Sequence, residues 1–482
     1  MSSSLFSIAR TALVTQQRVL ETVSQNIANA ETPGYSRQEA VLTANDPVRM
    51  PFGMVGTGVQ VSALNRKRDT LLDNTYRTQA GTAGEATMRR DSLSSVQDVF
   101  GEPSDAGMSD ALDKFWNAWS DLASTPSSQA NKAVVQQTGS QVASLFNQYD
   151  QQLTTQRNSQ LDRLNTTIAT INQTATQVAD LNGKIAASEV GGEQANDLRD
   201  QRDMMLDKLA TMAGTRVIPQ ANGSISVVIG NSTLVDGTTA RALTVQQTAP
   251  NPPANPPSPD IPISIRLGDS PNKLQNFGGE IQAIGDSLNT SIPGLRNRLN
   301  TMAASLVSTV NTIHTSGYTF TNNSGTGTAA GNFFDPGSSG APVTAGSIKI
   351  DAAIQGNVDL IAVSGAPNAP LDNSAATQLT ALRNKTATVT YQDGGTTETG
   401  SFLGFFRSMV TTLGLQVSNA TDDATVSTTL QTQADTKRQS VSGVNSDEEL
   451  IQLMRTQQAY VAATKLITTA DQMMQTILNM VQ

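Results

Sequence analysis

Residues 9–37 read ARTALVTQQRVLETVSQNIANAETPGYSR, and the plan of the whole chain follows from them. Ala9, Leu13, Gln16, Leu20, Val23 and Ile27 recur at spacings of 4, 3, 4, 3 and 4, with Leu5, Ala12 and Val19 in an adjacent stripe. That period predicts an amphipathic helix with a wide apolar face. Thr32-Pro33-Gly34 should stop it near Asn29, because proline removes a donor, disfavours helix in the residue before it, and is followed here by a turn-forming glycine.

The opposite end of the chain has the same character. Ser446-Asp447-Glu448-Glu449 reads as a capping box, with the serine oxygen and Glu449 satisfying opposite orphan amides at the start of a last helix over 447–482. On that helix Leu466, Ala470, Met473, Ile477 and Met480 form one apolar seam, and Ile467, Met474, Leu478 and Val481 form a second; Leu453 and Tyr460 precede them on the same helix. One intramolecular partner covers only one seam. The remaining face carries Thr468, Gln472, Gln475, Asn479 and Gln482, and Asp471 is the only charge after Lys465. A solvated face usually carries more Lys and Glu; an intramolecular bundle is the plainer alternative. Ordering about 30 such residues costs roughly 45 kcal/mol, and about ten apolar side chains with about 25 hydrogen bonds return a similar sum. The ends should therefore be disordered in the monomer and ordered in an assembly.

Between the ends, residues 40–65 read as extended, punctuated by Pro47, Pro51, Gly53, Gly56 and Gly58. Helices are predicted near 66–100, 108–124 and 130–188, the last without a proline and with Leu161, Leu164, Ile168, Ile171, Ala175, Val178 and Ile185 in coiled-coil spacing. Alternation at Ile225, Val227 and Ile229 and at Ile261, Ile263, Ile265 and Leu267 predicts strands, separated by a stiff proline-rich loop at 250–259. Helical period returns over 279–315, with a kink expected at Pro293, and again over 401–441. The expected fold is mainly α and elongated. Its units are terminal coiled-coil helices at 1–45 and 442–482, a helical-bundle core at 46–213, 276–316 and 400–441, and outer β-rich insertions at 214–275 and 317–399.

Composition narrows the function. The 482 residues carry a net charge of -9 with 32 Lys+Arg against 41 Asp+Glu and no basic run, which argues against nucleic-acid binding. There is no cysteine and a single histidine, His314, so thiol catalysis, disulfides and thiolate metal sites are excluded and no cofactor is expected. His314 is read as a helix C-terminal residue favoured by the dipole. Gly53, Gly56 and Gly58 lack the following helix of a phosphate loop. Trp116 and Trp119 are expected in a core. Asp335, Asp351, Asp372 and Asp393 are scattered among turn residues, without the convergence an enzyme needs. The start, Met1-Ser2-Ser3-Ser4-Leu5-Phe6, lacks the features of a cleavable signal, and no apolar run is long enough to insert in a membrane, so these signals alone point to the cytosol.

Asn26-Ile27-Ala28-Asn29-Ala30-Glu31-Thr32-Pro33-Gly34-Tyr35-Ser36-Arg37 resembles the N-terminal signature of bacterial flagellar rod, hook and hook-associated axial proteins. Ser442–Leu450, Gln457-Gln458-Ala459-Tyr460 and Ile477-Leu478-Asn479-Met480 resemble their C-terminal signature. Asn196–Asp203 and Gly278-Gly279-Glu280 are similar to the hook-associated members, whereas hook and rod subunits lack such helical segments. The resemblance implies an extracellular structural subunit at the hook–filament junction. It would be exported uncleaved by the flagellar type III system and assembled as a ring through Asn26, Ile27, Asn29, Thr32, Pro33, Gly34 and Tyr35 and the C-terminal seams. The implied partners are other copies of itself, the hook protein, the next hook-associated protein and an export chaperone on the C-terminal helix. The stripe from Thr468 to Gln482 would line the export channel. A hook or rod subunit, or a secreted adhesin, is the alternative.

Overall fold

The computed structural model describes residues 2–50, 53–102, 104, 106–248, 260–268, 270–320, 327–337, 342–386, 388–393 and 396–481. The proline-rich loop, Pro51 and Gln482 lie outside these residues, as do the side chains of Ile477, Leu478 and Val481. The chain opens with helix α1 (Ser2–Ala28). Strands β1 (Gln38–Ala44) and β4 (Val59–Arg66) then pair antiparallel from Gln38 opposite Arg66 to Ala44 opposite Val59. Strands β2 (Val48–Met50) and β3 (Gly53–Val55) form the tip of this hairpin. The Thr15 hydroxyl donates to the Val59 carbonyl at 3.0 Å and ties α1 along β4.

Helices α2 (Thr70–Phe100), α3 (Met108–Ser124), α4 (Gln129–Ser188) and α5 (Asn196–Ala213) follow. Asp69 caps α2 by accepting from the amides of Leu71 and Leu72, and Ser128 caps α4 by accepting from that of Asn131. With 60 residues, α4 spans about 90 Å. Strands β5 (Arg216–Pro219), β6 (Ile225–Ile229), β7 (Ser232–Asp236) and β8 (Thr239–Ala240) make a meander, beside a ribbon of β9 (Leu243–Gln247) and β10 (Ile263–Leu267). Ile225, Val227 and Ile229 face inward as their alternation requires. After α6 (Glu280–Asp286) and α7 (Ile292–Thr315) come short elements. These are β11 (Tyr318–Thr319), β12 (Thr328–Ala329), α8 (Ala352–Gly356), α9 (Ser374–Ala381), β13 (Val389–Asp393) and β14 (Thr396–Gly400). The long helices α10 (Phe402–Ser442) and α11 (Ser446–Val481) close the fold.

Apolar burial is divided between two clusters that α4 joins. One gathers Phe100, Phe115, Trp116, Trp119, Phe146, Leu306, Phe333, Phe334, Phe402 and Phe406. The other packs Leu164, Ile171 and Val178 of α4 against Leu206 and Leu209 of α5 and the inner face of the meander. The β-strands thus share their core with helices instead of enclosing one of their own. Between the clusters Arg157 and Arg296 flank Asp260 at 3.4 and 3.1 Å.

Three local readings change. The break in the 279–315 segment is a π-turn at Ser287–Ser291, ahead of Pro293: widening the turn absorbs the donor that proline cannot supply. Among the described residues, 317–399 hold only short strands and short helices; their Gly, Ser and Thr content favours turns, and Phe333, Phe334, Ile348 and Ile350 anchor the segment to the helices. His314 is fully buried, with Nδ1 2.7 Å from the Gly331 carbonyl oxygen and Nε2 accepting from the Ala362 amide at 3.0 Å. Burial pushes its pKa down to about 4, so it is a neutral clasp and not a cation on the helix dipole. Trp116 and Trp119 lie in the core, as expected.

Candidate functional site

The two chain ends meet side by side. Helices α1 and α11 pack antiparallel, and the face of α11 turned toward α1 buries Glu449, Thr456, Ala463 and Ala470 at intervals of seven, with Leu453, Tyr460 and Ile467 half-buried between them. From α1, Ala9, Val23 and Asn26 close the seam. This register takes Ala470 from one expected seam and Ile467 from the other, and it leaves Leu466, Met473, Met474 and Met480 exposed. The two seams are therefore not the unit of packing. Small residues at 463 and 470 let the helix backbones approach, and a buried polar junction fixes the rotation.

That junction is built around Asn26, which is 1% exposed. Its Nδ2 donates to the Gln38 carbonyl at 2.9 Å and to Glu449 Oε2 at 3.0 Å. Its Oδ1 accepts from the Gln38 amide at 3.0 Å and from the Tyr35 hydroxyl at 2.9 Å. Both donors and both lone pairs of the amide are used. Glu449 also meets Arg37 Nε at 2.7 Å, and Arg37 reaches Glu448 at 3.0 Å. The Arg37 amide donates to the Ser442 carbonyl at 2.9 Å. Burial first, then the charges of Asp197, Asp200 and Glu449, push the Tyr35 pKa up to about 12, so the phenol keeps the proton it donates.

Glu449 is thus no capping-box partner. Asn445 caps α11, its Oδ1 accepting from the Asp447 amide at 3.0 Å, and Ser446 lies inside the first turn. The turn before the junction is held by Asn29, whose Nδ2 donates to Gln25 O at 3.0 Å and whose Oδ1 accepts from the Thr32 hydroxyl at 3.2 Å. After Pro33, Gly34 has φ +80°, and a Cβ there would meet the Met204 side chain, so glycine is needed twice over. Ile27 is half-buried beside Asn26.

Met204 belongs to α5, which presents Asp197, Asp200, Asp203 and Asp207 on one face. Asp200 accepts from the Ser36 amide at 2.9 Å and from its hydroxyl at 2.6 Å. Arg66 Nη1 lies 2.7 Å from Asp200 and 2.8 Å from Asp203. Arg77 joins Asp203 at 3.1 Å to Asp207 at 2.8 Å, and Arg438 of α10 completes the row on Asp207 at 2.6 Å. Burial would raise the pKa of Asp203, but Arg68, Arg66 and Arg77 outweigh it and hold it down at about 2. The row anchors the motif, the hairpin, α2 and α10 to one helix. Among the described residues no three His, Asp or Glu side chains converge as a metal site.

Sequence reasoning singled out Asn26, Asn29, Thr32, Pro33, Gly34 and Tyr35, and the structure brings them together. It passed over Glu449, Arg37, Gln38 and the α5 aspartates as parts of a site. The repeat of aspartate at 3, 3 and 4 opposite Arg66, Arg68 and Arg77 was the available signal. On α11, Thr468, Gln472, Gln475 and Asn479 are exposed away from α1.

Comparison with known proteins adds three matching family models. Residues 93–334 match the flagellar hook-associated protein FlgK helical domain, residues 437–480 the flagellar basal body rod FlgEFG protein C-terminal, and residues 6–35 the flagella basal body rod protein. Flagellar hook-associated protein 1 of Bacillus subtilis is 30% identical over 98% of this chain and 97% of its own length. The protein of that name from Escherichia coli is 24% identical over 99% of this chain and 100% of its own. A solved structure, the flagellar hook junction protein FlgK from Burkholderia pseudomallei, superposes with a TM-score of 0.62 at 16% identity, covering 77% of this chain and 100% of that one; at that identity it supports the fold. Among the described residues no helix is long and apolar enough to cross a membrane.

Proposed function

The chain belongs to the family of flagellar hook-associated protein 1, and on that premise we propose that it is a structural subunit of the junction between hook and filament. It is exported through the flagellar type III channel and joins a ring of its own copies between the hook protein and the next hook-associated protein. The observation that carries this reading is the union of both chain ends at Asn26 and Glu449, beside a C-terminal helix whose Leu466, Met473 and Met480 have no cover. An uncovered apolar seam of this kind requires a partner: an export chaperone first, neighbouring subunits afterwards. The terminal helices then gain their full order on assembly. The match of the hook-associated helical domain over 93–334 favours this reading over a hook or rod subunit.

In a motile bacterium lacking its own junction protein, expression of the chain should restore filaments on bare hooks. Hooks that stay bare while the chain accumulates outside the cell would defeat the proposal. The stripe of Thr468, Gln472, Gln475 and Asn479, with Gln482, lines the export channel, where uncharged amides let unfolded cargo slide without gripping it. Replacing both Gln472 and Gln475 with leucine should leave the ring intact and slow filament elongation. Elongation at the normal rate, measured by pulse-labelled filament length, removes the stripe from the channel wall.

A further inference from the structure

A groove of about 480 Å³ runs between α1 and β4, and none of the contacts described above fills it. Phe6, Arg10, Val14 and Arg18 follow one another at intervals of four along its α1 wall, and Val59 and Val61 form part of the β4 wall. Phe6 and Val14 are each 46% exposed. Arg10 and Arg18 are exposed and have no ion pair among the described residues. In a chain of net charge -9, two unpaired cations alternating with apolar side chains in one concave strip mark a seat for an acidic, apolar helix face.

The same chain carries such a face on α10. Its inner side packs on α2, and its outer side presents Leu415, Val426 and Leu430 at 61, 58 and 44% exposure. Asn419, Asp422 and Asp423 lie between them; both aspartates are exposed and unpaired among the described residues. No Lys or Arg occurs between Arg407 and Lys437. The stripe from Leu415 to Leu430 is about 22 Å long, against about 18 Å from Phe6 to Arg18.

We propose that the α1–β4 groove of one copy receives the outer face of α10 of the next copy, the two helices parallel, with Asp422 and Asp423 against Arg10, Val426 against Val14 and Leu430 along the stem of Arg18. This rests on the axial-subunit reading and names its lateral contact. The groove and the stripe are different surfaces, so the contact is head-to-tail and propagates from copy to copy until a ring closes.

The chain has no cysteine, which permits a direct test. Chains carrying Val14→Cys and chains carrying Val426→Cys are expressed together in the strain that reports filament restoration, and isolated flagella are oxidised. A disulfide-linked pair should form only when both variants are present. In a second arm, Arg10→Glu with Arg18→Glu, or Asp422→Lys with Asp423→Lys, should each abolish incorporation alone, and mixing the two chains should recover it. Normal filaments without a linked pair overturn the contact and leave the proposed function standing, whether the groove is then empty or filled by hook protein. Failure of the unaltered chain to restore filaments defeats the function itself.

Discussion

Replacing Glu449 with alanine is expected to release α11 from α1 while the helical core stays folded. Glu449 is 1% exposed, accepts from Asn26 and pairs with Arg37, so truncation leaves a buried amide N–H without its acceptor and Arg37 with only the exposed Glu448 as counter-charge. Removing one member of a buried pair costs about 3–5 kcal/mol. That sum is comparable with what Ala463, Ala470 and the half-buried Leu453, Tyr460 and Ile467 contribute to the two-helix contact. Hydrogen exchange should accelerate across residues 446–481 and along α1, with α2, α4 and α7 unchanged. Glu449→Gln retains the acceptor for Asn26 and should lose much less. If α11 exchanges at the same rate in the alanine variant as in the unaltered chain, the junction does not hold the ends together.

Asp203→Asn should destabilise the core itself by about 3–5 kcal/mol, because Arg66 and Arg77, with Arg68 3.5 Å away, then crowd a neutral amide. The same group sets an acid limit. Its folded pKa of about 2 lies below the roughly 3.9 of an unfolded aspartate. The charged form therefore stabilises the fold fully above the unfolded value, and the contribution, about 3 kcal/mol, disappears as pH falls through about 2. Melting temperatures between pH 5 and pH 2 should fall less steeply for Asp203→Asn than for the unaltered chain. Parallel curves would mean that Asp203 carries no linked proton.

The long elements were legible because periodicity is written directly in the side chains. The expected helix at 130–188 is α4 at 129–188, and the alternation at Ile225, Val227 and Ile229 is β6. Glu449 was misread because its spacing from Ser446 fits a local cap, and only the fold reveals that Asn26 is nearer to its purpose. The face of α11 turned inward was equally hidden: apolar residues occur on two sides, and which one packs depends on small residues and on a polar pair 423 positions apart in sequence. His314 illustrates the reverse case, where a helix-end position suggested charge and burial removed it.

Helix α4 carries a mechanical consequence. Its two halves are embedded in separate apolar clusters, and its middle is gripped where Arg157 meets Asp260. An unbroken rod of about 90 Å so clamped cannot bend without disrupting one cluster or the other. The turns around residues 29–37 and 443–445, where both tails leave the body, are pinned to it in turn, Ser36 by Asp200 and Arg37 by the Ser442 carbonyl. A load applied at the paired ends is therefore carried into the rod instead of being lost in a hinge.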